Sequence, residues 1–240
     1  MRRQTPLLAL GICSGLIIGL PSLAQAATGP FGSRTPAQIL SLTKAAMERA
    51  GSVHVVNTTS LNGTISFTLT TDSSAGSGTQ AQVFGGGVEK VRLIGSTLFI
   101  NADSVAFSLD FNVSNSTLTN EWVRVPVSNP NYANISAAIL LPSLIKDTLS
   151  MKSLKNLGVE TFDGRTTVAI EGFPPNSTPG TSVVQTLYVA TSAPYLPVGL
   201  STVFLEGVNG KGKSVFSRWG EKVAVRPPAR YVTATAKDFP

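Results

Sequence analysis

Apolar residues repeat along this chain in three ways, and each predicts a different element. From Leu7 to Leu20 they form one nearly continuous block. From Ile39 to Met47 they fall at Ile39, Leu42, Ala46 and Met47, the spacing of one helix face. Beyond Gly51 the period drops to two, as in half-buried strands. The first block has a basic start at Arg2 and Arg3, a helix-breaking Pro21, and Ala24-Gln25-Ala26 as a small-x-small cleavage pattern. It is about 14 residues long, short for a membrane span. The expectation is a signal peptide over 1–26, cut after Ala26, a short flexible entry over 27–34, and one domain over 35–240. That places the protein in the secreted or cell-envelope compartment.

The helix has both its ends written in the sequence. Thr35 can cap, Pro36 stands where its missing N–H costs nothing, and Gln38 can close a capping box. Arg49 suits the last turn and Gly51 stops the helix. Alternation then predicts strands at Val53–Val55, Ile65–Leu69, Gln80–Phe84, Val91–Leu93, Thr97–Ile100, Val105–Leu109 and Trp122–Val125. Turn signals separate them at Asn62-Gly63, Gly76-Ser77-Gly78, Gly85-Gly86-Gly87, Gly95-Ser96 and Asn101-Ala102-Asp103. Such spacing leaves no room for crossover helices, so the strands form an antiparallel meander. A helical insert is expected over about 129–157, with Ile135, Ile139 and Leu140 on one helix and Leu144, Ile145 and Leu149 on another that starts at Pro142. Strands resume at Val159–Phe162, Arg165–Glu171, Val183–Ala190, Pro197–Leu205 and Ser214–Trp219, with a hairpin tip at Asn209-Gly210. The fold class is α+β: a curved antiparallel sheet with helices on one face, a shape that tends to enclose an apolar hollow.

Cysteine usage narrows the chemistry. Cys13 is the only cysteine. It reads either as a lipid-anchoring residue or as part of the apolar core of the signal. Bulky Ile12 just before it, and the short apolar stretch it would leave, favour the second reading. The mature chain then has no thiol and no disulfide. His54 is the only histidine and lies in an alternating strand; no Gly-x-Ser-x-Gly turn accompanies it. The acids, Asp72, Asp103, Glu121 and Asp163 among them, are scattered singly, which gives no metal-ligand spacing and no pair for glycoside hydrolysis. Gly85-Gly86-Gly87 lacks the Lys-Ser/Thr continuation of a phosphate loop. No cofactor, metal or catalytic set is expected, and the protein reads as non-enzymatic.

Charged residues make up only 13% of the chain, and the net charge of +6 falls to +4 without Arg2 and Arg3. The most basic stretch holds Lys211, Lys213, Arg218, Lys222, Arg226 and Arg230. It carries no nucleic-acid-binding motif. An anionic membrane or envelope surface is the more sensible partner, and a solvated face is the plainer account. Asn-x-Ser/Thr triplets at Asn57, Asn62, Asn112, Asn115, Asn134 and Asn176 are expected by chance in a chain so rich in these residues.

Several segments in fixed order carry a resemblance. They are the capped helix from Thr35 to Ala50 leading into Gly51-Ser52-Val53-His54-Val55, the segment Val91–Ile100, Glu121-Trp122-Val123-Arg124-Val125-Pro126, Thr161–Ile170, Leu187-Tyr188-Val189-Ala190 followed by Pro194-Tyr195-Leu196-Pro197, and Phe216-Ser217-Arg218-Trp219-Gly220. In this order the chain resembles the LolA-like envelope proteins, in particular the LppX/LprG-type lipoproteins of actinobacteria. The resemblance implies a half β-barrel with helices over its concave face and an apolar cavity for a lipid or acylated ligand. It implies a carrier in envelope lipid or lipoprotein trafficking, with no catalytic residues. Alternation offers Ile65, Phe67, Leu69, Leu98, Ile100, Ile139, Leu187 and Val189 as cavity-lining candidates. The alternative is a non-catalytic envelope interaction module with a filled core and a basic C-terminal contact surface.

Overall fold

A computed structural model describes positions 31, 34–111, 117–175, 183–204 and 210–234 of the chain. The expected signal peptide, Cys13, the sequons at Asn112, Asn115 and Asn176, and Asn209 lie outside the described residues. Among these, the chain forms α1 (Pro36–Ala50), β1 (Ser52–Leu61), β2 (Thr64–Ser74), β3 (Ser77–Phe84), β4 (Gly87–Ile94), β5 (Thr97–Ala102), α2 (Ser104–Phe111), β6 (Val123–Val125), α3 (Tyr132–Ile139), α4 (Leu141–Leu149), β7 (Lys152–Phe162), β8 (Arg165–Phe173), β9 (Val183–Ala190), β10 (Pro197–Phe204), β11 (Gly210–Ser217) and β12 (Val232–Thr233). All strands join one curved, unclosed sheet in the order β12-β6-β5-β4-β3-β2-β1-β11-β10-β9-β8-β7. Neighbours are antiparallel except β12, which lies parallel to β6. The fold is α+β, a half-barrel of the expected kind.

Helix α1 forms where its end signals place it. Thr35 Oγ1 accepts from the Gln38 N–H at 3.3 Å, and Gln38 Oε1 accepts from the Thr35 N–H at 2.9 Å. Gly51 ends the helix at φ 74°, a left-handed conformation that suits a residue without Cβ. Replacing Thr35 with alanine removes this reciprocal cap, and should cost about 1 kcal/mol in a urea titration.

One expected strand is a helix. Val105–Leu109 alternates apolar and polar residues, yet Ser104–Phe111 is α2. Asp103 decides it: Oδ1 accepts from the Ala106 N–H at 2.9 Å, as an N-cap does, and Oδ2 accepts from the Val88 N–H at 2.8 Å. Ala106 and Phe107 then point inward, fully buried, while Val105 and Leu109 face out. The insert is also shorter than its expected 129–157: α4 ends at Leu149, and Lys152–Leu157 already belong to β7.

Three apolar clusters pin the helices to one face of the sheet. The first sets Ala106, Phe107 and Ile139 against Val91, Leu93, Leu98, Ile100 and Val123. In the second, Ile39 and Leu40 of α1 meet Val168, Ile170, Leu187 and Val189. The third gathers Met47, Leu141 and Ile145 over Val53, Val55 and Phe216. On the opposite face the segment after β11 crosses the sheet. Gly220 N–H donates to Ser52 O at 3.1 Å, Arg92 donates to Arg226 O at 3.1 Å, and Tyr231 packs edge-on against Phe99.

Candidate functional site

Register fixes which residues share the helix-covered face. Val55 stands opposite Thr71 and Phe216, Asn57 opposite Leu69 and Ser214, and Thr59 opposite Phe67 and Gly212. The helices cover this face at one end only. Val53, Val55, Thr71, Ser73 and Phe216 are buried there, whereas Asn57, Thr59, Phe67, Leu69, Phe84, Thr202 and Phe204 toward the other end are half-buried.

The eight residues proposed from the sequence divide accordingly. Leu98, Ile100, Ile139, Leu187 and Val189 are each 0% exposed, inside the first two clusters. Phe67 and Leu69 lie on the half-buried floor, with the Phe67 and Phe84 rings 6.5 Å apart. Ile65 belongs to β2, and its side chain is outside the described ones.

A cavity of about 590 Å³ opens between α1 and α4. Its apolar wall is a helical stripe, Leu141, Pro142, Ile145 and Leu149, closed by Ala75 from the β2–β3 turn. Leu141 and Ile145 are buried at their bases, and Leu149 is half-buried. Lys44, Glu48 and Lys146 form a charged rim, with Lys44 donating to Glu48 one helical turn on. Ile145 and Leu149 were legible as an apolar helix face; the gap beside them, which α1 creates by lying across the sheet, was not.

The chain is similar to the solved structures of LprF and of the lipoprotein LppX. LprF from Mycobacterium bovis is 18% identical, over 80% of this chain and 96% of its own, with a TM-score of 0.47. LppX from Mycobacterium tuberculosis is also 18% identical, over 80% of this chain and all of its own, with a TM-score of 0.41. A LolA superfamily protein from Nitrosomonas europaea is 10% identical, over 76% of this chain and 91% of its own, at a TM-score of 0.26. No protein-family model and no curated protein matches the sequence.

His54, set aside as a lone histidine, sits in a polar cluster on the face away from the helices. Its Nδ1 is 2.7 Å from Asp72 Oδ1, directly across from it in β2, and the Arg218 guanidinium reaches both groups. Arg218 Nη2 lies 3.0 Å from Asp72 Oδ1. Among the described residues His54 has no hydrogen bond to a serine, threonine or cysteine, and Thr79 Oγ1 donates to Asp72 at 3.5 Å. Asp72 and Arg218 are too open to solvent for a strong ion pair. Asp72→Asn should therefore shift unfolding free energy by no more than about 1 kcal/mol, measured by urea titration; a loss several times larger would make the cluster a structural keystone. Among the described residues no group of three or more His, Cys, Asp or Glu side chains could hold a metal. The basic stretch is partly neutralised: Lys213 donates to Asp163 at 2.9 Å and lies 5.1 Å over the Phe162 ring. Trp122 stacks under Arg92, and Trp219 donates to Pro197 O at 3.1 Å.

Proposed function

We propose that this protein is an exported, non-enzymatic carrier that holds the acyl part of a lipid or lipidated ligand on the helix-covered side of the half-barrel. The carrying observation is the 590 Å³ cavity between α1 and α4, walled by Leu141, Pro142, Ile145 and Leu149. Its volume is within the roughly 300–1,000 Å³ of small-ligand pockets. Each methylene moved from water onto such a wall contributes about 0.8 kcal/mol. The amine groups of Lys44 and Lys146 at the rim would face the polar end of a ligand. The half-buried floor at Phe67 and Leu69 is a second apolar surface on the same side. Among the described residues no helix is long and apolar enough to cross a membrane.

The test is uptake of a fluorescent fatty-acyl probe by purified protein, with native mass spectrometry for co-purifying lipid. Saturable binding, competed by unlabelled fatty acid, is the expected result; no uptake and no retained lipid would end the carrier reading. The three filled clusters favour a second reading, an interaction module that meets an envelope partner or anionic surface through its basic C-terminal strands. It requires that neutralising Lys211, Lys213 and Arg218 weaken capture on anionic vesicles, with acyl binding absent.

A further inference from the structure

His54 Nδ1 has two partners that it cannot satisfy at once. It lies 2.7 Å from Asp72 Oδ1, and Arg218 Nη2 touches the same nitrogen while standing 3.0 Å from the same oxygen. A carboxylate only accepts and a guanidinium only donates, whereas Nδ1 carries either a proton or a lone pair. With a lone pair, Nδ1 accepts from Arg218, and Asp72 accepts from Arg218 beside it. With a proton, Nδ1 donates to Asp72, and its N–H meets the Arg218 N–H head-on. A ring protonated on both nitrogens adds the repulsion of two cations at one carboxylate. Only the neutral ring with its lone pair on Nδ1 holds Arg218 where it stands.

Arg218 is where the chain leaves the sheet. Strand β11 ends at Ser217, and the segment that follows crosses the face away from the helices to reach β12. Trp219 stays anchored, its Nε1 donating to Pro197 O, and Gly220 turns the chain at φ 80°. The described hydrogen bonds of the segment beyond gather at its ends. Gly220 N–H donates to Ser52 O, and Ser52 Oγ donates to Glu221 O at 2.6 Å. At the far end Val232 N–H donates to Trp122 O at 2.9 Å and Ala234 N–H to Arg124 O at 3.0 Å. Between them Arg92 reaches Arg226 O, while Lys222, Ala224, Arg226, Arg230 and Tyr231 are exposed. A segment held so thinly opens at low cost.

We propose that residues 221–234 form a pH-operated strap: protonation of His54 expels Arg218, the strap lifts, and the edge of β6 is uncovered. Histidine is the side chain whose charge ordinarily changes between pH 5 and 8. The charged groups that line one cavity with His54 are Asp72 from β2 and Arg218, Glu221 and Lys222 at the strap's start. Arg92 of β4 lies beyond Thr79, and Ser217, the neighbour on β11, is uncharged. Lys222 bars the expelled guanidinium from settling beside the strap, because like charges repel. With Arg218 gone, Nδ1–H has Asp72 to itself, so the open form binds the proton more tightly and acid favours it. Opening frees the Trp122 and Arg124 carbonyls, an unpaired edge that another strand can join. The strap is independent of what the α1–α4 cavity carries.

The test is amide hydrogen exchange read by NMR at about pH 8 and about pH 5, corrected for the intrinsic rate at each. The reporters are the Val232 and Ala234 N–H groups, and the amides of β9, a strand paired on both sides, are the reference for global unfolding. Relative to β9, reporter protection in wild type should fall about fivefold in acid, as the loss of one half-exposed ion pair allows. His54→Asn keeps an acceptor oxygen for Arg218 and cannot charge, so its ratio should be the same at both pH values. Arg218→Gln removes the pin and should show the acid ratio already at about pH 8. A wild-type ratio that does not change with pH overturns the strap. So does a fall that persists in His54→Asn, or wild-type protection in Arg218→Gln at the higher pH.

Discussion

Gly78→Val should destabilise the protein by about 3 kcal/mol, the upper end of what overpacking a close contact costs. A Cβ at this position meets Ile139 Cγ2 at 2.4 Å and Asp72 O at 2.6 Å, and the second is main chain that cannot rotate aside. Helix α3 is also tied down beside it: Ser73, paired with Gly78 across the strands, donates Oγ to Ile139 O at 2.6 Å. The valine must therefore lift the end of α3 or spread β2 from β3. Either movement breaks that bond and disturbs α4, which starts two residues after Ile139. The midpoint of a urea titration should fall with an unchanged slope, and acyl-probe affinity should fall with it. Gly76→Ala is the matched control. No atom lies within 4 Å of its added Cβ, and its φ is ordinary, so it should be neutral or slightly stabilising. Equal stability of Gly78→Val and wild type would mean that α3 does not press on β3 at Gly78.

The same glycine shows where reading the sequence stops working. Local chemistry was legible wherever one residue decides a conformation. Thr35 and Gln38 cap α1, and Asn62-Gly63 turns at φ 51° and 83°. Alternation was less informative because it names two faces without saying which is inward. In β3 the inward face carries Gly78, Gln80 and Gln82 as well as Phe84, and the close approach of Gly78 to the distant Ile139 puts that set inward. Alternation also misplaced Val105–Leu109, whose spacing suits a strand, because Asp103 starts a helix there. The parallel pairing of β12 with β6 depends on a segment that runs from β11 across β1 to β5 to reach the sheet's edge, a long-range contact with no local signature. For the site, residue type is informative and position is not: alternation marks apolar residues strand by strand, whereas the cavity lies in the groove between α1 and α4, beside the contact of Met47 with Leu141 and Ile145.

Leu149→Trp and Leu187→Ala should separate cavity from core in a single pair of measurements. Leu149 lines the α1–α4 cavity and is half-buried, one side of it packed on the second and third clusters, so an indole at that position extends from that packing into the cavity. Displacing three or four methylenes of a bound chain, at about 0.8 kcal/mol each, lowers acyl-probe affinity on the order of a hundredfold. Stability should stay within about 1 kcal/mol of wild type, because space is filled and none is created. Leu187 is the opposite case. It is 0% exposed, packed among Ile39, Leu40, Ile170 and Val189, and touches no described cavity. Its truncation should cost about 2–5 kcal/mol, yet the molecules that remain folded should bind the probe as wild type does. A Leu187→Ala protein that folds normally but binds the acyl chain differently would move the ligand to the wall formed by Leu187 and Val189. That outcome requires α1 to lift away from the sheet, since Ile39 and Leu40 occupy the space such a chain would need.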